Sequence, residues 1–519
     1  MTASARASRR LPAAGRDRAA VDVVVVGSGP NGLAAAVALA RAGLEVVVLE
    51  AEPVPGGGTR TLDLGLAPGI VHDLCSAVHP LAWASPFFRE LDLAARGVEL
   101  LTPEISYGQP LDPARRGRTS RAALAHRDLA RTVGGLGADG EAWRRIVGSL
   151  ARDGAALAEA VLGDRTLGAL AGAVRGDGAR RLLRTALAVA SQGSALWNLP
   201  FRGDAAPALL TGVAAHAMVP QPSPSGAGVA LLLAALAHGE QGWPVPRGGS
   251  AAIGRALVAD LEAHGGTVRT DTRVSSVADL PPARAVLFDT TPRTLLRVLG
   301  ERLPAWARSE LRRFPYGPGV AKVDLVTDGP VPWAAAGLER AGTVHLGGTR
   351  ADVARAEADV ARGRHAEHPV VLVSDPSVVD PGRRAGGLRP VWAYAHVPAG
   401  STLDPVPMVT AEIERFAPGF ADTVVAARGL SAARLPEHDE NYVGGDIGAG
   451  AISLLRVAAR PSLLLPPYGT GLDHVYLCSA STPPGPGVHG LAGWYAARRV
   501  LRRTFGIRRM PSLAPSPSP

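Results

Sequence analysis

Apolar positions near the start of the chain do not alternate with polar ones. Residues 21–27 read VDVVVVG, too continuous for a half-exposed strand and too short for a helix. The run predicts a strand buried on both faces, the habit of a parallel sheet. An alanine-rich helix follows, and Glu45-Val46-Val47-Val48-Leu49 predicts a second strand that ends on Glu50. The same strand-and-helix logic returns further on. Arg247-Gly248-Gly249-Ser250 leads into IGRALVADLEAHGG, whose apolar residues recur at helical spacing until Gly265-Gly266. Thr267–Thr270 and Arg273-Val274 read as a strand, and Ala285–Asp289 as another, closed by Thr290-Thr291-Pro292. Near the end, Val475–Cys478 predicts a strand, Ser479–Gly490 a glycine/proline loop and Leu491–Arg503 a helix. Between these stretches the pattern changes. Residues 76–245 give short helices broken by loops, with Pro220–Gly228 expected as an exposed loop. Residues 300–440 are mixed, with strands near Val320–Leu325 and Val370–Val373.

The turn between the first strand and helix carries chemistry. Gly27-Ser28-Gly29-Pro30-Asn31-Gly32 fits G-x-G-x-x-G in a strand–turn–helix setting. Gly27 permits the turn, Gly29 a close approach of backbone to a pyrophosphate, and Gly32 close packing of helix on strand. The helix N-terminus turns free N–H groups toward phosphate. Glu50, at the end of the second strand, can accept from ribose hydroxyls and repels a 2′-phosphate, which selects FAD or NAD over NADP. Gly135–Gly140 and Gly485–Gly490 also fit the expression, but neither follows a strand with an acidic residue about 20 positions on. No second dinucleotide fingerprint is therefore assigned.

After Glu50 the chain reads Ala-Glu-Pro-Val-Pro and then Gly56-Gly57-Gly58-Thr59-Arg60. This resembles the extended fingerprint of the FAD-dependent amine oxidase and phytoene desaturase superfamily. SAVHPLAWASPFF, PRGGSAAIGRALVADLEAHGGTVRTDTRV, NYVGGDIGAGA and VYLCSASTPPGPGVHGLAGWYAARRVL extend the resemblance over nearly the whole length. It is nearest the uncharacterised branch that includes the pyridine nucleotide-disulphide oxidoreductase domain protein 2 group. The resemblance implies FAD as cofactor, with Gly56, Gly57, Gly58 and Arg60 against its diphosphate. It also implies that Gly249 passes near the FAD, that the Val274 backbone meets the adenine, and that Gly487 and Val488 hold the pyrimidine end of the isoalloxazine. Pro30 and Asn31 belong to the same cofactor site. Ser479, Ser481 and Pro483 depart from the desaturase pattern, which puts the substrate in doubt.

The fold class expected is α/β, a discontinuous Rossmann-like FAD-binding domain with an inserted mixed α+β substrate domain. The FAD-binding domain takes residues 21–75, 245–299 and 440–505, and the substrate domain residues 76–244 and 300–439. Residues 1–20 are expected to be a disordered extension and residues 506–519 a disordered tail.

Composition narrows the setting. Net charge is +9, but the arginines are scattered and no nucleic-acid module is present, so that partner is set aside. The N-terminal stretch lacks the apolar core of a secretory signal. Two distant cysteines, Cys75 and Cys478, give no C-x-x-C pair and no disulfide framework, which fits a reducing cytoplasm. The apolar stretch at Val229–Ala237 is too short to span a bilayer, which takes ~20 residues. A membrane-peripheral position is the alternative, with the arginines of Arg498–Arg503 as the candidate lipid contact and an ordinary solvated face as the competing reading.

No zinc-like spacing, no G-x-S-x-G elbow and no P-loop is found, so no metal is expected and the flavin carries the chemistry. Two residues are candidate catalytic helpers. His489 lies in the flavin-facing loop. Lys322, the only lysine, shares a strand face with Asp324, either as a surface ion pair or near the flavin and substrate. His79 before Pro80 is read as a hydrogen-bonded structural histidine or as part of the substrate entrance. The reading favoured is hydride transfer between flavin and an apolar, isoprenoid- or carotenoid-like substrate. The alternatives are an amine oxidase-type reaction on a small metabolite, against which the few aromatics count, and a non-catalytic FAD-binding regulatory protein.

Overall fold

The computed structural model describes residues 21–115, 117, 119–152, 154–164, 178–453, 456 and 459–515. The expected N-terminal extension, residues 1–20, lies outside them. Two sheets alternate along the chain. β1 (Val21–Val26) and β2 (Val46–Leu49) open the first, and β3 (Ile105–Pro110) and β4 (Ala122–His126) open the second. β5 (Thr267–Arg269) and β6 (Ala283–Phe288) return to the first sheet. The second then gains β7 (Gly319–Thr327), β8 (Val344–Leu346), β9 (Val371–Ser374), β10 (Arg389–Val397) and β11 (Val424–Leu430). β12 (Val475–Leu477) completes the first.

The first sheet is parallel throughout, in the order β12-β6-β1-β2-β5. Val24 of β1 lies opposite Val47 on one side and Val286 on the other. Helices cover such a sheet, so Val23, Val24 and Val25 are all fully buried and the sequence shows no alternation. The second sheet, in the order β11-β7-β10-β9-β8-β3-β4, is antiparallel except where β8 meets β3.

Helix α1 (Pro30–Ala40) begins with proline at a position whose N–H has no helical partner, and Gly29 before it is extended. It packs against α4 (Ala251–Ala263) and α5 (Leu491–Thr504) as well as the sheet, and α2 (Gly178–Gln192) packs on α3 (Pro224–Leu236). Being enclosed explains the alanines of α1, since larger side chains would hold its neighbours away. The tightest approach is at Gly493 of α5, where a Cβ would stand 1.7 Å from the Asn31 carbonyl oxygen.

Three expectations need correction. Pro220–Gly228 is not an exposed loop throughout: α3 begins at Pro224, and the Ser223 hydroxyl caps it by accepting from the Gly226 N–H at 3.2 Å. Arg273-Val274 is not strand, because β5 ends at Arg269. Residues 506–515 are not a disordered tail. Leu513 is fully buried in the core beneath the first sheet. The Asp260 carboxylate binds both Arg41 (2.7 Å) and Arg96 (2.6 Å). Those guanidiniums donate onward to the carbonyls of Ser512 (2.9 Å), Ala514 (3.1 Å) and Leu513 (3.0 Å). Proline-rich composition gave no sign of these distant partners.

Leu513→Ala therefore removes a buried side chain at a cost of about 2–5 kcal/mol. Thermal denaturation should show a clear fall in Tm for this variant, whereas Ser512→Ala should leave Tm unchanged.

Candidate functional site

A cavity of about 810 Å³ opens where β1 and β2 end. Parallel α/β sheets bind ligands at the carboxyl ends of their strands, and ligand sites span roughly 300–1,000 Å³. The loop after β1 meets Asp289, the residue that follows β6. A Cβ on Gly29 would stand 2.6 Å from Asp289 Oδ2, and the Gly32 N–H donates to that oxygen at 2.7 Å. Glu50 closes the other side. Its Oε2 accepts from the Ser28 N–H (2.9 Å) and hydroxyl (2.5 Å), and its Oε1 from the Glu52 N–H (2.9 Å). A carboxylate has about four acceptor positions, so one is left for a ligand hydroxyl. The second glycine loop lies on the first: a Cβ on Gly57 would stand 2.9 Å from Gly29 Cα.

The structure brings Gly27, Gly29, Pro30, Asn31, Glu50, Gly57, Gly58, Val274, Gly487 and Val488 onto one cavity wall. The Asn31 Oδ1 is buried there without a protein partner. Other expected residues stand one layer back. Gly32 meets Asp289, and the Gly56 N–H donates to the Ser28 hydroxyl at 3.1 Å. Arg60 is buried behind the loop, donating from Nε to the Gly57 carbonyl (3.1 Å) and pairing with Glu52 at 3.5 Å. Its role is to brace the loop. Gly249 forms the turn before α4 with φ 107°, and a Cβ there would strike Thr61 and Asp73.

The two catalytic candidates are placed differently from expectation. His489 is fully buried, with Nδ1 accepting from the Leu491 N–H (3.1 Å) and Nε2 3.1 Å from the Gly485 carbonyl. Both nitrogens serve the backbone at the start of α5, which leaves none for a substrate. Lys322 forms the ion pair with Asp324, but inside the protein rather than at its surface. Its ammonium lies 5.3 Å from the ring of Trp392, which does face the cavity. Burial lowers the Lys322 pKa, and Asp324 opposes that shift. His79 combines its two readings: it lines the cavity, and its Nε2 meets the Ser250 hydroxyl at 2.7 Å.

Several wall residues were not singled out from the sequence. Asp289, Asp439 and Asn441 surround the first glycine loop, with the Asn441 Oδ1 accepting from the Thr291 N–H at 2.8 Å. Asp289 was legible as the polar end of a predicted strand beside the Gly-rich turn. Trp392 and Tyr394, at i and i+2 of β10, share the cavity face with ring centroids 5.1 Å apart and nearly perpendicular. Alternation within 389–397 signals that face, but nothing local says what it faces. Burial raises the Asp289 carboxyl from 3.8 to about 8, helped by the charges of Asp439 and Glu50 and opposed by the Gly32 N–H. Asp439 is likewise raised by burial, to about 6. Among the described residues no group of His, Cys, Asp and Glu could hold a metal ion, and no helix is long and apolar enough to cross a membrane.

With this geometry in view, comparison with known proteins shows what the chain is similar to. The family description "NAD(P)-binding Rossmann-like domain" matches residues 25–91. The hydroxyneurosporene desaturase of Cereibacter sphaeroides is 65% identical over 40 residues, 8% of either chain. The pyridine nucleotide-disulfide oxidoreductase domain-containing protein 2 of Rattus norvegicus is 26% identical across 93% of each chain. The solved structure of cyclohexylamine oxidase from Brevibacterium oxydans has the same fold, with a TM-score of 0.53 and 16% identity over 94% of this chain and 99% of that one. Together these findings show a Rossmann-like dinucleotide-binding stretch at residues 25–91 and an overall fold shared with solved oxidoreductases.

The Asp289 shift has a thermodynamic consequence. The folded chain keeps this proton up to about pH 8, whereas the unfolded chain releases it near 3.8. The stability that follows is fully present below the lower value and is lost as pH rises to the upper one. Asp289→Asn carries no such proton, so its Tm relative to the parent should rise between pH ~4 and ~8 and then level off. A difference independent of pH would show that this carboxyl titrates normally.

Proposed function

We propose that this chain is an FAD-dependent oxidoreductase that moves a hydride between flavin and an apolar, isoprenoid- or carotenoid-like substrate. One observation carries the reading: a single cavity joins the glycine loops and Glu50 to an apolar far end. That end is walled by Val161, Leu162, Val189, Leu232, Leu233 and Met218. The polar end fits FAD. Gly29, Gly57 and Gly58 line the cavity, the α1 N-terminus faces the same place, and Asn31 keeps an unused acceptor. Asp289, held neutral by burial, puts no charge against a diphosphate at neutral pH. When bound, FAD supplies the hydride acceptor or donor. The chain's own part is to bind, to orient and to keep water out. The apolar walls favour a substrate without charge.

A second reading has a specific observation in its favour. Although aromatics make up only 4% of the chain, Trp392, Tyr394 and Tyr442 belong to one buried cluster and line the cavity. Such a cluster suits a small amine, because aromatic faces attract cations and shape a narrow slot. The scarcity of aromatic residues therefore does not count against an amine substrate.

The purified chain should show a flavin absorption spectrum, and Gly29→Val, whose Cβ would strike Asp289, should abolish it together with a fall in Tm. Anaerobic addition of isoprenoids, amines or NAD(P)H separates the readings. Bleaching by isoprenoids supports hydride transfer from an apolar chain, and bleaching by amines alone supports the second reading. Flavin that binds yet is reduced by none would turn the assignment toward a non-catalytic FAD-binding protein. Folded parent protein that stays flavin-free with added FAD would overturn both.

A further inference from the structure

Part of the cavity wall carries hydrogen-bonding atoms that no protein group uses. Thr343, directly before β8, and Trp392 of β10 both line the cavity and are more than nine-tenths buried. The Thr343 hydroxyl and the Trp392 Nε1 are enclosed and have no partner. Buried polar atoms are nearly always paired in folded proteins, so two unpaired ones beside one cavity point to an occupant. A third polar group is His216, in the turn after the helix Ala205–Ala214. It also lines the cavity, and its Nε2 lies 2.9 Å from the Nε2 of His345. His345 is fully buried and stands two positions beyond Thr343, on the same face of the strand.

The pairing fixes which atom of His216 carries its proton. Both imidazoles are neutral, because burial lowers His216 from 6.5 to about 3 and holds His345 well below its ordinary value. One proton lies between the two Nε2 atoms. The Nδ1 of His345 is buried without a partner. A proton there would enclose an N–H with nothing to accept it, a rarer defect than an unused acceptor. His345 therefore keeps its proton on Nε2 and donates to His216, whose own proton falls on Nδ1. That atom has no partner among the described residues. Trp243 stands edge-on to both rings, at 5.7 and 5.9 Å between centroids, and its own N–H is taken by the Leu233 carbonyl at 3.0 Å. This part of the wall thus presents an imidazole N–H, an indole N–H and a hydroxyl. Between 205 and 246 and between 319 and 397, none of the described residues that line the cavity is an acid. An ammonium would meet donors here and no carboxylate, whereas an oxygen with free lone pairs would meet what it lacks.

We propose that this wall is a subsite for a neutral oxygen, so that the substrate is an alcohol, ketone or aldehyde with a long hydrocarbon remainder. The His216 Nδ1–H is the principal donor, and Thr343 and Trp392 offer further hydrogen bonds. His345 is a positioning residue that holds the tautomer of His216. The inference rests on the apolar-substrate reading and adds to it the one polar group that such a substrate carries.

Three detergent-solubilised probes of one chain length test it: geranylgeraniol, the matching hydrocarbon and geranylgeranylamine. Binding is read by quenching of tryptophan fluorescence. The parent should bind the alcohol about tenfold more tightly than the hydrocarbon, and the amine no better than the hydrocarbon. His216→Phe should remove that preference and leave the affinity for the hydrocarbon unchanged. His216→Phe with His345→Leu, which leaves neither imidazole without its partner, should do the same. His345→Leu alone should weaken the preference. His345→Gln, whose amide can still donate to His216, should restore it, which a purely structural role would not produce. Flavin content and Tm report folding separately. A parent that takes alcohol and hydrocarbon equally, or the amine best, would overturn the proposal, as would a His216→Phe variant that weakens all three probes alike. If the alcohol is preferred but no apolar probe bleaches the flavin, the subsite stands and the hydride-transfer reading fails. If the hydrocarbon binds as well as the alcohol and bleaches the flavin, that reading stands and the subsite fails.

Discussion

The contact on which this molecule depends is that between the first glycine loop and the end of β6. Gly29 and Gly32 come so close to Asp289 that no Cβ fits at either place. That approach fixes where α1 begins, and therefore where the Asn31 N–H, the one left unpaired in its first turn, points. The elements around the first sheet adapt to it. Alanines on α1 let the sheet, α4 and α5 close in together, and Gly493 allows α5 to come within contact of the Asn31 backbone. Enlarging a residue in this group would cost packing and also move the donors that face the cavity.

The two sheets supply different halves of one cavity. The parallel sheet ends in exposed backbone and carboxyl groups, because every strand delivers its carboxyl end to the same edge. The second sheet lies flat against the space and offers side chains by alternation, which is how Trp392 and Tyr394 reach the wall together. Lys322 and Asp324 stand on the neighbouring strand directly opposite Tyr394 and Trp392, and so on the same face of the sheet, buried beside the cavity rather than lining it. An ion pair held there is costly to remove from water unless its members satisfy each other, and removing either one alone would leave a buried charge. This gives the pair a structural reason to exist before any catalytic one.

Much of this was legible in the sequence wherever the determining forces are local. A continuous valine run, a glycine turn, a proline at the first position of α1 and an acid at the end of β2 are set by backbone sterics within a few residues. The same holds for the shared face of Lys322 and Asp324. Their burial was not legible, since it depends on both faces of β7 being covered by distant chain. Ser223-Pro224 was a local helix start that the surrounding prolines obscured. Leu513 is the opposite case: nothing near it in sequence indicates that Arg41, Arg96 and Asp260 wait to receive it. His489 was read correctly as part of the terminal loop, but its ring is drawn inward by two backbone groups that only the folded loop brings near.

The acids at the glycine loop show why formal charge is a poor guide to what a buried site accepts. Glu50, Asp289 and Asp439 would seem to make the place hostile to a diphosphate. Burial reverses that for Asp289, whose proton is retained to about pH 8, and weakens it for Asp439, raised to about 6. The Gly32 N–H, which would otherwise face phosphate, instead holds Asp289 in position. Glu50 is tied by Ser28 and Glu52 but keeps one acceptor position free. The electrostatics therefore divide by depth. A neutral carboxyl and the Asn31 N–H lie at the glycine turn. The anchored carboxylate lies at the end of β2, where a ligand needs only hydrogen-bond acceptors. A site arranged this way discriminates by the position of its charges rather than by their sum.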